Sequence, residues 1–392
     1  MFRSNLLNYA MKKMHSPFLI ILSAVCLISS LAKAQPEKAE AGIKAIMQEI
    51  PVMGLSVAVV KENKIIYTQS FGTKSRENNA PLTDDCIFRI ASISKSFSAT
   101  SIMQLAERKK LSIDQDVSEL IGFKVRNPKF PETVITLRLM MSHLSSINDS
   151  QGYFILDAIN PAKNPNWAQS YSNYEPGKGY AYCNLNFNMI GAIIEKISGE
   201  RFDQYIIKHV LDPLKLYGGY DVDGLDKSRF ASIYEYKADS SKFILSEGAY
   251  ASRAKEISNY EMGYTTPVFS PTGGMKISAS DLAKYMLMHS NYGKYKGKRI
   301  ISKKSAQQMQ TAPSAEEGYG FAIETTSKII PGKTMKGHTG VAYGLFSAMF
   351  FQPEEKFGIV VISNGCAPGY SDGYNTVIRK TVNCLYESLI VN

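Results

Sequence analysis

The chain has 392 residues, 44% hydrophobic and 20% charged, enough apolar content for one or two cores and too little charge for overall disorder. Its formal charge of +10 is unevenly placed: Arg3, Lys12, Lys13 and Lys33 lie in the first 34 positions, which hold no acid. The remaining excess is dispersed, with its densest run (Lys294, Lys296, Lys298, Arg299) in a glycine-containing loop, which argues for a solvated surface and against a nucleic-acid partner.

At the front, Met11-Lys12-Lys13-Met14 precedes an apolar run over 18–31 and then Ala32-Lys33-Ala34. A basic stretch, a short apolar stretch and an A-x-A site together describe a secretory signal peptide over 1–34, so the expected mature chain is exported, periplasmic or secreted. No later segment is apolar enough for a bilayer span. Beyond the leader lie Cys86, Cys183, Cys366 and Cys384, with no C-x-x-C pair and no histidine at ligand spacing. A structural metal is therefore not expected, and one disulfide is left open.

In chain order, an amphipathic helix is expected over 36–49, followed by strands at 55–60 and 65–71 around a polar turn at 61–64. From 92 to 108 the pattern is helical, with Ile93, Phe97, Ile102 and Leu105 near one face. Helical pieces and polar loops fill 91–264. Strand-like runs return at 319–324, 345–351 and 357–363, and Ile378, Val382, Leu385 and Leu389 mark a closing helix. The short turns predict an α/β (α+β) chain with an antiparallel sheet flanked by helices: a discontinuous domain from 35–90 and 265–392, interrupted by an all-helical domain over 91–264.

Of the five histidines, His15 lies in the leader, and His209 and His289 fall in helical patterns and read as surface or core. His143 and His338, beside small residues in loops or at strand edges, leave more room for chemistry. Gly369-Tyr370-Ser371-Asp372-Gly373 matches G-x-S-x-G, but no histidine follows residue 338, so the segment reads as a loop. Ser92-Ile93-Ser94-Lys95 is stronger. Residues i and i+3 share a helix face, the helix start favours developing negative charge, and a desolvated amine can take the serine proton. In Tyr182-Cys183-Asn184 a tyrosine can relay a proton and an asparagine can orient the lysine or a substrate amide. His338-Thr339-Gly340, with Gly337 before it, suits a strand edge that a substrate backbone approaches closely and whose N–H groups stabilise an oxyanion.

In this order the three motifs resemble the serine β-lactamase and penicillin-binding (DD-peptidase) superfamily, specifically its class C-like branch, over about 36–391. The resemblance implies a β-lactamase/transpeptidase-like fold, with Ser92 as acylated nucleophile, Lys95 as its partner and Tyr182 as general base. Asn184 would bind the lysine and the substrate amide; His338, Thr339 and Gly340 would bind substrate; the backbone N–H groups of Ser92 and Val341 would form the oxyanion hole. No cofactor or metal is implied, and the partner is a small molecule or peptide such as a peptidoglycan stem peptide or a β-lactam. His338 stands where most β-lactamases have the lysine of K-T-G. With an ordinary pKa near ~6.5 it would hold a carboxylate only as imidazolium, with binding weakening as pH rises through about 6–7. Cys183 stands where Ser or Ala is usual and reads as packing. The expected function is an exported serine hydrolase acting on D-amino-acid peptides or β-lactams. An esterase and a slowly deacylating penicillin sensor are the alternatives.

Overall fold

The computed structural model describes residues 35–391; the leader expected over 1–34 lies outside them. Helix α1 covers 35–49. Strands β1 (Val52–Lys61) and β2 (Lys64–Ser75) form a hairpin whose turn residues Glu62 and Asn63 both have positive φ, as a tight two-residue turn demands. The short β3 (Ala80–Pro81) follows, and the C-terminal part supplies β4 (Glu324–Thr326), β5 (Met335–Ala342), β6 (Leu345–Gln352) and β7 (Phe357–Cys366). These seven strands form one antiparallel sheet in the order β4-β5-β6-β7-β1-β2-β3. The two ends of the chain meet at its centre, where Val57 pairs with Val361.

The sheet is buried on both faces, which explains the unbroken apolar run of β1. Leu55, Val57 and Val59 face an outer core with Ile43 of α1 and with Ile378, Val382 and Leu385 of the closing helix Thr376–Leu385. Ala58 and Val60 face an inner core shared with Phe97, Ile102, Phe187 and Met286. The antiparallel sheet flanked by helices is the architecture expected from the sequence.

Three elements depart from expectation. The helix Ser94–Glu107, here α2, is buried on every side from Ser94 to Leu105 rather than along one stripe. Its hydroxyls are satisfied internally: Ser96, Ser98 and Ser101 donate to the carbonyls of Ile93, Pro271 and Phe97. The interval 91–264 is not purely helical. Beside α2 and α3 (Asn184–Ser198) it holds a hairpin, Tyr234–Lys237 with Lys242–Leu245, and Gly218–Gly219, which joins Lys276–Ile277 and Phe88–Arg89 in a small sheet. The run 319–324 is a turn closed by a single bridge between Tyr319 and Glu324, with strand beginning only at Glu324. The four cysteines of the described residues are free thiols, which closes the question of a disulfide among them. Among the described residues no helix is long and apolar enough to cross a membrane.

β4 pairs only with Met335–Gly337 of β5. From His338 onward β5 therefore has no strand on its outer side among the described residues, and this edge lies against the turn that starts α2.

Candidate active site

Ser92 sits in a 3₁₀ turn, Ala91–Ile93, that runs directly into α2. Ala91 has φ 48°, a left-handed conformation that costs a non-glycine residue of order 1–2 kcal/mol and is held by its surroundings. The Ile90 N–H donates to the Met275 carbonyl (3.0 Å), Ser347 Oγ donates to the Ile90 carbonyl (3.1 Å), and the Met275 N–H donates to Ser94 Oγ (3.0 Å). Gly340 makes this approach possible: a Cβ there would fall on the Ile90 carbonyl and Ser347 Oγ.

Lys95, one helical turn on, is fully buried, and its Nζ lies 3.0 Å from Ser92 Oγ, 2.9 Å from Asn184 Oδ1 and 3.0 Å from the Thr272 carbonyl. Burial pulls its pKa down to about 7, with the negative charge of Asp149 opposing the fall. Asn184 opens α3 and is fixed on both sides of its amide. Its Oδ1 accepts from Lys95 and from Thr272 Oγ1 (2.9 Å), and its Nδ2 donates to Asp149 Oδ2 (2.9 Å). Asp149 also receives the backbone N–H groups of Asn184 and Leu185 (2.9 Å each) and the Cys183 thiol (3.2 Å), so Cys183 is a buried packing residue with a weak bond.

Tyr182 stands over this network with Lys95 Nζ 4.8 Å from its ring centroid. Desolvation holds its hydroxyl well above the ordinary tyrosine value, and a hydrogen-bonding interaction with Ser92 works the other way, so at neutral pH it is a phenol. His143 lies beneath it, ring centroids 4.3 Å apart, and its Nδ1 accepts the Cys183 N–H (3.1 Å). Burial keeps that imidazole neutral.

His338 requires a correction. Its Nε2 accepts from the Tyr319 hydroxyl (2.7 Å), its Nδ1 is bonded to the Thr339 carbonyl, and burial, reinforced by the Lys95 charge, pulls its pKa to about 3. The ring is neutral and both nitrogens are engaged, so it does not meet a carboxylate as imidazolium and supplies no carboxylate-binding switch between pH 6 and 7.

These groups line one cleft of about 650 Å³, shared by Ser92, Tyr182, Asn184, His338, Thr339 and Val341. Gly340 sits behind the wall rather than in it. The charged side chains lining the cleft are Arg89 and Glu324. The sequence reading did not identify Asp149, Thr272, Tyr319 or Glu324 as site residues. Asp149, Thr272 and Tyr319 reach the site from loops and turns and Glu324 from the start of β4, and no local spacing announces them. Among the described residues no cluster of His, Cys, Asp or Glu is placed to hold a metal ion. The arrangement offers a hydroxyl next to an amine that is half-deprotonated near neutrality, the requirement for nucleophilic acyl transfer.

A family model described as Beta-lactamase matches residues 39–383. The curated relative "Protein flp" of Staphylococcus aureus (strain MW2) is 22% identical over 333 residues, covering 81% of this chain and 61% of the relative. The chain thus spans about three-fifths of the length of such relatives. Among solved structures, the octameric penicillin-binding protein homologue from Pyrococcus abyssi aligns with TM-score 0.70 and 26% identity, covering 90% of this chain and 77% of that one. The D-amino acid amidase from Ochrobactrum anthropi SV3, complexed with D-phenylalanine, aligns with TM-score 0.68 and 20% identity, covering 90% and 98%. At that identity the amidase speaks for the fold alone.

Proposed function

Since the chain belongs to the Beta-lactamase family, we propose that it is an exported serine hydrolase that forms an acyl-enzyme on Ser92 from D-amino-acid peptides, amides or β-lactams. The observation that carries this reading is Lys95: a buried amine with a pKa near 7, 3.0 Å from a serine hydroxyl. In its neutral form Lys95 takes the Ser92 proton, directly or through the Tyr182 hydroxyl, as Ser92 Oγ bonds to the substrate carbonyl carbon. The backbone N–H groups of Ser92 and Val341 receive the oxyanion, an interaction worth about 3–4 kcal/mol per donor in comparable sites. The Tyr182 hydroxyl then gives its proton to the departing group and recovers one from Lys95. A water that enters in that group's place gives up a proton by the same route as it bonds to the acyl carbon, and the ester bond to Ser92 breaks as the serine oxygen takes that proton back.

An esterase is the second reading. It is favoured by the neutrality of His338, since an ester substrate needs no carboxylate clamp at the leaving side. The test is intact mass over time with penicillin and, separately, with p-nitrophenyl acetate, for wild type and Ser92→Ala, with residual penicillin assayed in the same tube. An adduct present in wild type and absent in Ser92→Ala is the expected result. Turnover that persists in Ser92→Ala overturns the assignment. Ester turnover without penicillin acylation selects the esterase, and a penicillin adduct that does not decay selects a sensor.

A further inference from the structure

The two ends of the cleft differ in charge. At one end Arg89 is held by the carbonyl of Gly273 (2.9 Å) and lies over the Tyr343 ring, 5.1 Å from its centroid, with no carboxylate partner among the described residues. At the other end Tyr180, Tyr182, Tyr319 and Glu324 share the wall. The tyrosine rings stand close together, with Tyr182 and Tyr319 6.3 Å and Tyr180 and Tyr319 6.1 Å between centroids. The bridge between Tyr319 and Glu324 brings the carboxyl to this group, near enough for its charge to raise all three tyrosine hydroxyls.

The chemistry decides which end is which. The departing group must collect a proton, and the hydroxyl placed to deliver it is Tyr182. The leaving half of the substrate therefore lies at the Tyr182–Glu324 end. Among the described residues that end offers no free cation: Lys95, beneath Tyr182, is fully buried and bonded to Ser92, Asn184 and Thr272, His338 is neutral, and the Glu324 carboxyl accepts only from the Tyr374 hydroxyl (3.3 Å) among side chains. A carboxylate on the leaving half would meet an acid without a counter-charge. An ammonium would meet that acid and the faces of aromatic rings, the pairing by which proteins hold organic cations.

We propose that Glu324, with Tyr180, Tyr182 and Tyr319, forms a subsite for a positively charged amine, and that the leaving half of the substrate carries such an amine and no free carboxylate. This rests on the serine-hydrolase reading and narrows it, setting peptides that end in a free carboxylate and carboxylate-bearing β-lactams below amine-bearing amides.

Burial raises the Glu324 carboxyl to about 7, with the Tyr374 hydroxyl opposing. The other titratable groups facing it are Tyr180, Tyr182 and Tyr319, all held as phenols, and the neutral His338. Ionisation of Glu324 as pH rises therefore strengthens the subsite between about 6 and 8, while a benzylic ammonium keeps its proton.

The test measures how fast a fluorophosphonate labels Ser92 in the full chain with benzylammonium, benzyl alcohol or benzoate present, and each variant is compared with itself without additive. In wild type, benzylammonium protects about tenfold more strongly than the other two, and its protection grows from pH 6 to 8. In Glu324→Gln that preference disappears, and in Glu324→Arg it passes to benzoate. Equal or stronger protection by benzoate in wild type, no protection by any additive, or an unchanged preference in Glu324→Gln overturns the subsite. Labelling that does not depend on Ser92 brings down the underlying serine-hydrolase reading instead.

Discussion

A neutral amine has two N–H bonds and one lone pair, and Lys95 meets three partners. The Asn184 amide oxygen and the Thr272 carbonyl can only accept, so they take the two hydrogens and leave the lone pair for the Ser92 hydroxyl. Protonated, the amine gives its third hydrogen to the Ser92 oxygen, so the site satisfies both forms and loss of the proton leaves no hydrogen bond unmade. Acylation should climb as pH passes through about 7 and level off above it. Lys95→Met should slow acylation by about 10²–10⁴-fold, the usual scale for a lost general base. The same displaced pKa acts on folding. The unfolded chain binds this proton more tightly than the folded one, so wild-type stability rises with pH between about 7 and the ordinary lysine range. A methionine has no such dependence. Melting temperatures at pH 6 and pH 9 should show the wild type gaining on Lys95→Met by the equivalent of on the order of a few kcal/mol. A gap that does not change with pH would mean that Lys95 keeps its ordinary pKa.

Helix α3 begins at Asn184 without a side-chain cap of its own, and the preceding residue is Cys183. Asp149, from a loop 35 residues earlier, takes the first N–H groups and places a negative charge at the positive end of the helix. It therefore does two things that separate by mutation. Asp149→Ala should cost about 1–2 kcal/mol as a lost cap and, by removing the charge that holds the Lys95 pKa up, move the midpoint of the acylation profile below about 7. Asp149→Asn should recover much of the stability but not the midpoint. A midpoint that returns with Asn would show that hydrogen bonding, not charge, sets the lysine. This element also marks how far the sequence could be read. Ser92 and Lys95 were legible because an i, i+3 pair on one helix is a local relation, and Tyr182 and Asn184 because they are two residues apart. Asp149 and Thr272 were not, since they reach the site across loops that carry no periodic signal. Glu324 was hidden as the last residue of a run that reads as strand, and α2 reads as one-sided because the sequence does not show that its serines are satisfied by carbonyls.

The hairpin turns told the order β1-β2 and β6-β7, but nothing local says that β7 returns to pair with β1, 304 residues away at Val57 and Val361. That long-range pairing makes the molecule one unit. The inner core contains Val60, Met349 and Val360 of the sheet together with Phe97, Ile102 and Phe187 of α2 and α3, so the helices of the middle interval share their apolar interior with the sheet. Ser92 lies on this seam, its turn fixed by Met275 and Ser347 from the C-terminal part and its lysine by Asn184 from the middle. The interval 91–264 should therefore not unfold by itself. In a urea titration, the far-ultraviolet helical signal and the rate of Ser92 labelling by a fluorophosphonate should fall with one midpoint. Leu385→Ala supplies the stricter form. That side chain is fully buried in the outer core, against the sheet face turned away from α2 and α3. Its loss should cost about 2–5 kcal/mol. If the chain is one cooperative unit, both midpoints move down together. If labelling keeps its wild-type midpoint while part of the helical signal is lost early, the closing helix melts separately and the site survives without it.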